Sequence, residues 1–293
     1  MKTPFAFALS LLLIASPAWA KPLNVVASFS IVGDIAHEVG GDKITLTTLV
    51  GPDGDAHTFE PAPKDAKALH DADLIIINGI HLEKWMEKLA KAAAAKAPYV
   101  VASYGITPRQ MNENGETVLD PHAWQNLKNG ILYVRNIEAG LAKADPEDAA
   151  TYKTNADKLV ARLEKLDAWT RAEIASVPEA KRKVITTHDA FGYFSAAYGV
   201  AFLAPAGLST DAEPNAGSLS RLVDQIKSEK IKALFIENMT DPRLMKTLTK
   251  ETGATIGGEL YSDALSPADG PAPTYPAMFE NNVPKLVAAM KLN

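Results

Sequence analysis

Cysteine is absent from this 293-residue chain. That excludes a disulfide framework, a thiolate nucleophile, iron–sulfur ligation and cysteine-type zinc fingers, so any metal chemistry must draw on histidine and carboxylates. Charge of one sign is scarce too: 30 basic against 35 acidic side chains leave −5, with a pI near 5.7. Phosphate binding needs clustered Lys and Arg, and no such stripe occurs, so no nucleic-acid partner is expected. Beyond the start of the chain no apolar run approaches the roughly 20 residues of a membrane span. What is present is the arithmetic of a globular protein, 47% hydrophobic and 22% charged, long enough for two domains or one large one.

The start itself reads Met1-Lys2-Thr3-Pro4, an apolar run from Phe5 to Ala15, then Ser16 to Ala20 ending in Ala18-Trp19-Ala20. A basic residue, a short apolar stretch and an A-x-A site describe a secretory signal peptide over residues 1–20, with cleavage after Ala20. A lipid anchor needs a cysteine at that point, so the expectation is a protein exported to the periplasm that is not a lipoprotein.

From Leu23 onward, short β-rich apolar runs alternate with amphipathic stretches. Leu23–Ala27, Ile44–Leu49, Leu74–Asn78 and Tyr99–Ala102 read as buried strands, and Ile31–Val39, Pro63–Asp71 and Leu82–Ala95 as helices. The series restarts after Lys183. Strands are expected at Val184–Thr187, Ala201–Ala204, Ala233–Ile236 and Thr255–Glu259, with helices near Phe191–Tyr198, Leu219–Glu229, Pro242–Gly253 and Tyr275–Met290. Such alternation predicts an α/β fold of two lobes, each with a short, mostly parallel sheet flanked by helices. Ala27-Ser28-Phe29-Ser30 leading to Glu60-Pro61 pairs with Thr186-Thr187-His188-Asp189 leading to Glu213-Pro214, as in a diverged internal duplication.

Between the halves, Asp145-Pro146 opens a segment with no Gly or Pro before Pro178, and Tyr152, Ala156, Leu159, Leu163 and Leu166 continue a helical stripe. One stiff helix of about 30 residues, roughly 45 Å long, is predicted there. The domain reading is therefore an N-terminal lobe over 21–145, a connecting helix over 146–177 and a C-terminal lobe over 178–293.

Six histidines are available. His37, His70 and His81 fall in or beside predicted helices, where an exposed or capping imidazole explains them. His57 instead lies in a loop after a strand, His122 just before a helix in Asp120-Pro121-His122-Ala123-Trp124, and His188 directly after a strand. Open α/β sheets gather ligands at the carboxyl ends of their strands. Asp263 follows the last predicted strand and adds an anionic oxygen donor. His57 and His122 belong to the first half, His188 and Asp263 to the second, so one cation held by all four would lie between the lobes. Spacing alone does not select this set, because no compact motif such as H-E-x-x-H is present.

Several in-order segments carry a resemblance: His57-Thr58-Phe59-Glu60-Pro61, Asn78-Gly79 followed by Leu82-Glu83-Lys84-Trp85, Asp120-Pro121-His122-Ala123-Trp124, Thr187-His188-Asp189-Ala190-Phe191-Gly192-Tyr193-Phe194, Glu213-Pro214 and Tyr261-Ser262-Asp263. Across almost the whole mature chain the sequence resembles the cluster A-I (TroA-like) metal-binding proteins of zinc and manganese ABC importers, most closely the zinc-binding branch. The resemblance implies two α/β lobes on one long helix, metal ligands at His57, His122, His188 and Asp263, and an ABC permease of the inner membrane as partner. Manganese members tend to carry a carboxylate where this chain has His188. Three imidazoles and one carboxylate suit zinc, so Zn2+ is the expected cargo, with manganese the alternative. Many zinc members carry a His-rich loop before the Asp-Pro-His motif, whereas 109–119 here has no His. Metal would then arrive directly or from a separate periplasmic metallochaperone.

Four protein ligands close a zinc site against the open water position that hydrolysis needs, so the chain is expected not to be an enzyme, with a zinc-dependent hydrolase the remote alternative. A third reading, a carrier of a metal chelate or organic ligand, would require the four side chains to lie too far apart to share one ion. A monomer is expected. Glu60, Asp120 and Asp189 are candidates to orient the imidazoles, and the loops 109–119 and 207–217 are candidates to order over metal.

Overall fold

A computed structural model of the chain describes residues 21–113, 116–205, 207, 210 and 216–293. The expected signal peptide, Glu213-Pro214 and most of the loop around them lie outside the described residues.

The first lobe runs β1 (Leu23–Phe29), α1 (Ser30–Gly40), β2 (Ile44–Val50), α2 (Pro63–His70), β3 (Leu74–Ile77), α3 (Met86–Ala93) and β4 (Tyr99–Val101). Its four strands pair in parallel in the order β2-β1-β3-β4. A hairpin follows, β5 (Arg109–Glu113) with β6 (Glu116–Asp120), and then two long helices, α4 (Leu127–Ala144) and α5 (Ala149–Ala175). The second lobe runs β7 (Lys183–Ile185), α6 (Gly192–Tyr198), β8 (Ala201–Leu203), α7 (Ala216–Glu229), β9 (Ala233–Glu237), α8 (Arg243–Thr252), β10 (Thr255–Leu260) and α9 (Tyr275–Met290). Its parallel sheet has the order β10-β9-β7-β8. Read from the strand that follows each lobe's opening one, both sheets have the same order, second-first-third-fourth. No described helix is long and apolar enough to cross a membrane.

Local chemistry accounts for the boundaries. Pro63 opens α2, and the Asp65 carboxylate accepts the Ala62 backbone N–H at 2.8 Å. The Asn126 side chain caps α4 and Thr274 caps α9. The helix expected from Leu82 starts only at Met86, because Gly79, Ile80 and His81 all take positive φ and turn the chain. The stretch 109–119, expected as a loop, is the hairpin β5–β6, whose mostly polar residues show no apolar alternation.

Among the described residues, burial divides into three clusters. One lies between the first sheet and helices α2 and α3, with Val26, Leu69, Ile75 and Leu89. Its counterpart lies against α7 and α8, with Ile185, Leu222, Ile226, Leu234 and Met245. The largest spans both lobes, from Val25 and Phe29 through Trp124, Tyr152 and Leu163 to Phe235 and Phe279. The expected stripe Tyr152, Ala156, Leu159, Leu163, Leu166 is buried in it, and α5 packs on α1, α4 and α9. The long helix is thus a wall of one shared core, not a strut across a gap.

Candidate metal centre

Each of the four candidate side chains sits past the end of a strand. His57 lies on the loop after β2, His122 after β6 at the entry to a short 3-10 turn (Ala123–Gln125), His188 after β7 and Asp263 after β10. The fold brings all four together: one donor atom from each lies within 4.8 Å of the others, and all four residues are buried. Asp263 Oδ2 is 3.1 Å from His57 Nε2, 3.1 Å from His188 Nε2 and 3.4 Å from His122 Nε2. His57 Nε2 and His122 Nε2 face each other at 3.2 Å. His37, His70 and His81 are exposed and stand apart, His70 Nδ1 meeting the Ala93 carbonyl at 3.0 Å.

These spacings fit a cation. Zinc–ligand bonds of about 2.0–2.1 Å directed to the corners of a tetrahedron place donor atoms roughly 3.3–3.4 Å apart. The other Asp263 oxygen, Oδ1, is buried without a hydrogen-bond partner among the described residues, an open donor that a metal would satisfy.

Two of the three imidazoles are oriented from behind. Asp120 Oδ1 accepts both the His122 backbone N–H at 3.0 Å and sits 2.9 Å from its Nδ1. Glu237, fully buried at the end of β9, accepts the Thr187 and His188 backbone N–H groups at 2.8 and 3.0 Å through Oε1. Its Oε2 lies 2.8 Å from His188 Nδ1. A carboxylate at Nδ1 leaves the Nε2 lone pair free for metal. Asp120 was thus foreseeable from its neighbourhood, whereas Glu60 is exposed, and Asp189 donates its backbone N–H to the Gly207 carbonyl while its carboxylate acts on His122 and His188 through charge. Glu237 was missed; its one signal is a charged residue ending an otherwise apolar strand, at the sheet edge where ligands collect.

Burial opposes charge on His122, but Asp263 and Asp120 outweigh it and raise the ring to about 9. His188 is likewise disfavoured as a cation by burial yet lifted well above its ordinary range by Glu237 and Asp263. Asp263, which burial alone would raise, is held well below the usual carboxylate range by those two rings. These shifts favour protonated rings beside an ionised Asp263, so protons and a cation compete for the same donor atoms.

Two α/β lobes of equal topology with three imidazoles and a carboxylate converging between them define a two-lobed metal-binding protein. The chain belongs to the ZnuA/TroA-like family, the zinc-uptake complex component A periplasmic proteins, whose family model matches residues 25–289. It is a metal-binding, substrate-binding component of an ABC importer, which implies a permease partner, and the family is one of transport proteins rather than enzymes. The chain is 36% identical over 278 residues to the iron ABC transporter substrate-binding lipoprotein MtsA of Streptococcus pyogenes, covering 92% of this chain and 89% of that one. It is 35% identical over 276 residues to the manganese ABC transporter substrate-binding lipoprotein scaA of Streptococcus gordonii, covering 91% and 88%. Among solved structures, the periplasmic zinc-binding protein TroA of Treponema pallidum superposes with a TM-score of 0.87 at 31% identity, covering 92% of this chain and 99% of that one.

These relatives correct one expectation. A periplasmic protein that is not a lipoprotein was inferred from the missing cysteine, but the matching streptococcal proteins are named as lipoproteins. The names of these relatives conflict with the expected lack of an anchor, while a location outside the cytoplasm agrees with the family's description as periplasmic.

Proposed function

We propose that this protein captures Zn2+ through His57, His122, His188 and Asp263 and passes it to the permease of its importer. The observation that carries the reading is the approach of three imidazole Nε2 atoms to a single oxygen of Asp263 at 3.1 to 3.4 Å. A nitrogen-rich, four-donor set favours zinc over metals that prefer oxygen. The metal is cargo, not a catalytic cofactor: four protein donors leave no position for an activated water. All four donors come from one chain, which supports action as a monomer. With no histidine in 109–119, metal enters directly or from a separate metallochaperone. The reading also divides the chain at 21–145, 146–177 and 178–293.

One observation favours manganese as a second reading. Asp263 Oδ1 has no hydrogen-bond partner among the described residues and so is available as a further oxygen donor, which would raise the coordination number. Titration of the metal-free protein with Zn2+ and Mn2+, followed by elemental analysis, tests the choice. One zinc retained per chain in competition is expected; preferential retention of manganese overturns it. Replacing His188 with Ala should weaken zinc binding roughly 100-fold or more, as one of four ligands sharing about 10–16 kcal/mol.

A further inference from the structure

Asp263 belongs to the second lobe by sequence, yet the first lobe holds its backbone. The Ser262 carbonyl, next to Asp263, accepts hydrogen bonds from Trp124 Nε1 and Gln125 Nε2, both at 2.8 Å. On the other side, Leu265 N–H donates to Ser30 Oγ at 3.0 Å and the Leu265 carbonyl accepts the Asp53 N–H at 3.0 Å. The second lobe grips the same stretch as well: Asn282 binds both the N–H and the carbonyl of Tyr261, and Asn238 donates its N–H to the Leu260 carbonyl at 3.1 Å and its Nδ2 to the Ala264 carbonyl at 3.4 Å. Trp124, Gln125, Ser262 and Asp263 are all essentially fully buried, so these bonds are shielded from water. Trp124 and Gln125 also lie on the short 3-10 turn Ala123–Gln125 that His122 opens.

We propose that Trp124 and Gln125 are a positioning pair that bolts Asp263 to His122 across the lobe boundary and so sets the donor spacing before metal arrives. The inference rests on the metal-binding reading of the four side chains and deepens it. Its consequence is mechanical. Asp263 is then tied to both lobes, to His122 through Trp124 and Gln125 and to the second sheet through Leu260 and Ala264, whereas His188 is held by Glu237 at the ends of β7 and β9, within the second sheet. Movement of that sheet withdraws His188, while the bonds from Trp124, Gln125 and Ser30 resist the withdrawal of Asp263 from His57 and His122. The pair also sets specificity, because a carboxylate fixed at tetrahedral spacing suits zinc, whereas one free to slide can present both oxygens to a metal of higher coordination number.

The test uses Gln125→Leu, Trp124→Phe and the double variant in the full chain, loaded with Co2+, Zn2+ or Mn2+. Cobalt reports geometry through its visible spectrum, which is intense for four-coordinate sites and weak for six-coordinate ones. In the wild-type protein an intense spectrum at one Co2+ per chain is expected. Each single variant should lose about 10-fold in zinc affinity, and the double about 100-fold with a weakened cobalt spectrum and a smaller preference for zinc over manganese, the range found when groups behind metal ligands are removed. Wild-type zinc affinity and an unchanged spectrum in the double variant overturn the proposal, as does a loss of thermal stability with the spectrum of the folded protein intact. If the double variant does not fold, Gln125→Leu alone decides, since Trp124 still holds the turn. Failure of the wild-type chain to bind Co2+ or Zn2+ at all would instead sink the metal reading.

Discussion

The two lobes share a strand order and differ in where their chemistry lies. In the first, the buried Glu83 carboxylate ties the ends of β1 and β3, accepting the Ser28 hydroxyl at 2.7 Å and the Asn78 and Gly79 N–H groups at 2.6 and 3.1 Å. In the second, Glu237 ties the ends of β7 and β9 in the same manner but also reaches the His188 ring. The candidate ligands follow the second strand of one lobe and the first and fourth of the other, with His122 supplied by the added hairpin. A duplicated frame therefore carries a centre that is not duplicated. The frame fixes where strand ends converge, and single residues at those ends decide which of them hold metal.

The largest effect should come from protons. His122 in the first lobe is raised to about 9 and His188 in the second well above its ordinary range, so each lobe contributes a proton that metal must displace. For a group whose folded value is raised, the stabilisation it gives the metal-free fold is complete below the ordinary 6.5 and is lost as pH climbs through the folded value. Metal capture runs the other way: affinity rises as pH climbs toward the raised values of the two rings and falls with declining pH by up to about 100-fold per unit while two protons compete. Calorimetry in buffers of different ionisation enthalpy should count up to two protons released near pH 7. No release in that range would show that the rings bind metal already neutral.

Next in size is the contrast between the two glutamates. Glu237→Ala removes the carboxylate behind His188 and should cost about 10–100-fold in zinc affinity. Glu83→Ala should leave metal affinity within a few-fold but cost about 2–4 kcal/mol of stability, because three buried donors lose their acceptor. Parallel zinc titrations and denaturant melts of the two variants would break the comparison if the effects coincide.

Much of this was legible in the sequence because it depends on local pattern. Apolar runs such as Leu74–Ile77 and the stripe through Tyr152 and Leu163 announce strands and a long helix whatever surrounds them. The four donors were named from their places after strands and from the family resemblance. What escaped was tertiary. The hairpin Arg109–Asp120 is mostly polar and carries no period-two signal. Glu237 looks like a solvated strand end until β7 is laid beside β9, and Gln125 becomes a donor to the Ser262 carbonyl only once a partner 137 positions along the chain has folded beside it. The shared core was equally invisible, since nothing in the stripe on α5 says that both lobes press on it.

The smallest effect tests that shared core at its seam. Asp34 on α1 accepts the Tyr275 N–H at the start of α9 at 2.7 Å, joining the lobes away from the metal centre. Burial, partly offset by that hydrogen bond, raises its carboxyl to about 7; Glu38 adds to the rise and Arg162 opposes it. An acid raised in the folded state is more easily ionised when unfolded, so the native fold loses stability as pH rises from about 4 to 7. Asp34→Asn is neutral at every pH and keeps a carbonyl for the Tyr275 N–H. It should match wild type in thermal melts at pH 4 and exceed it at pH 8, by less than the ~4 kcal/mol that a rise from 3.8 to about 7 represents because Asp34 is only partly buried, with zinc affinity unchanged. A variant that is instead weaker at pH 8 would mean that the ionised carboxylate at the helix start stabilises the seam, and that the lobes are held together there by charge rather than by burial.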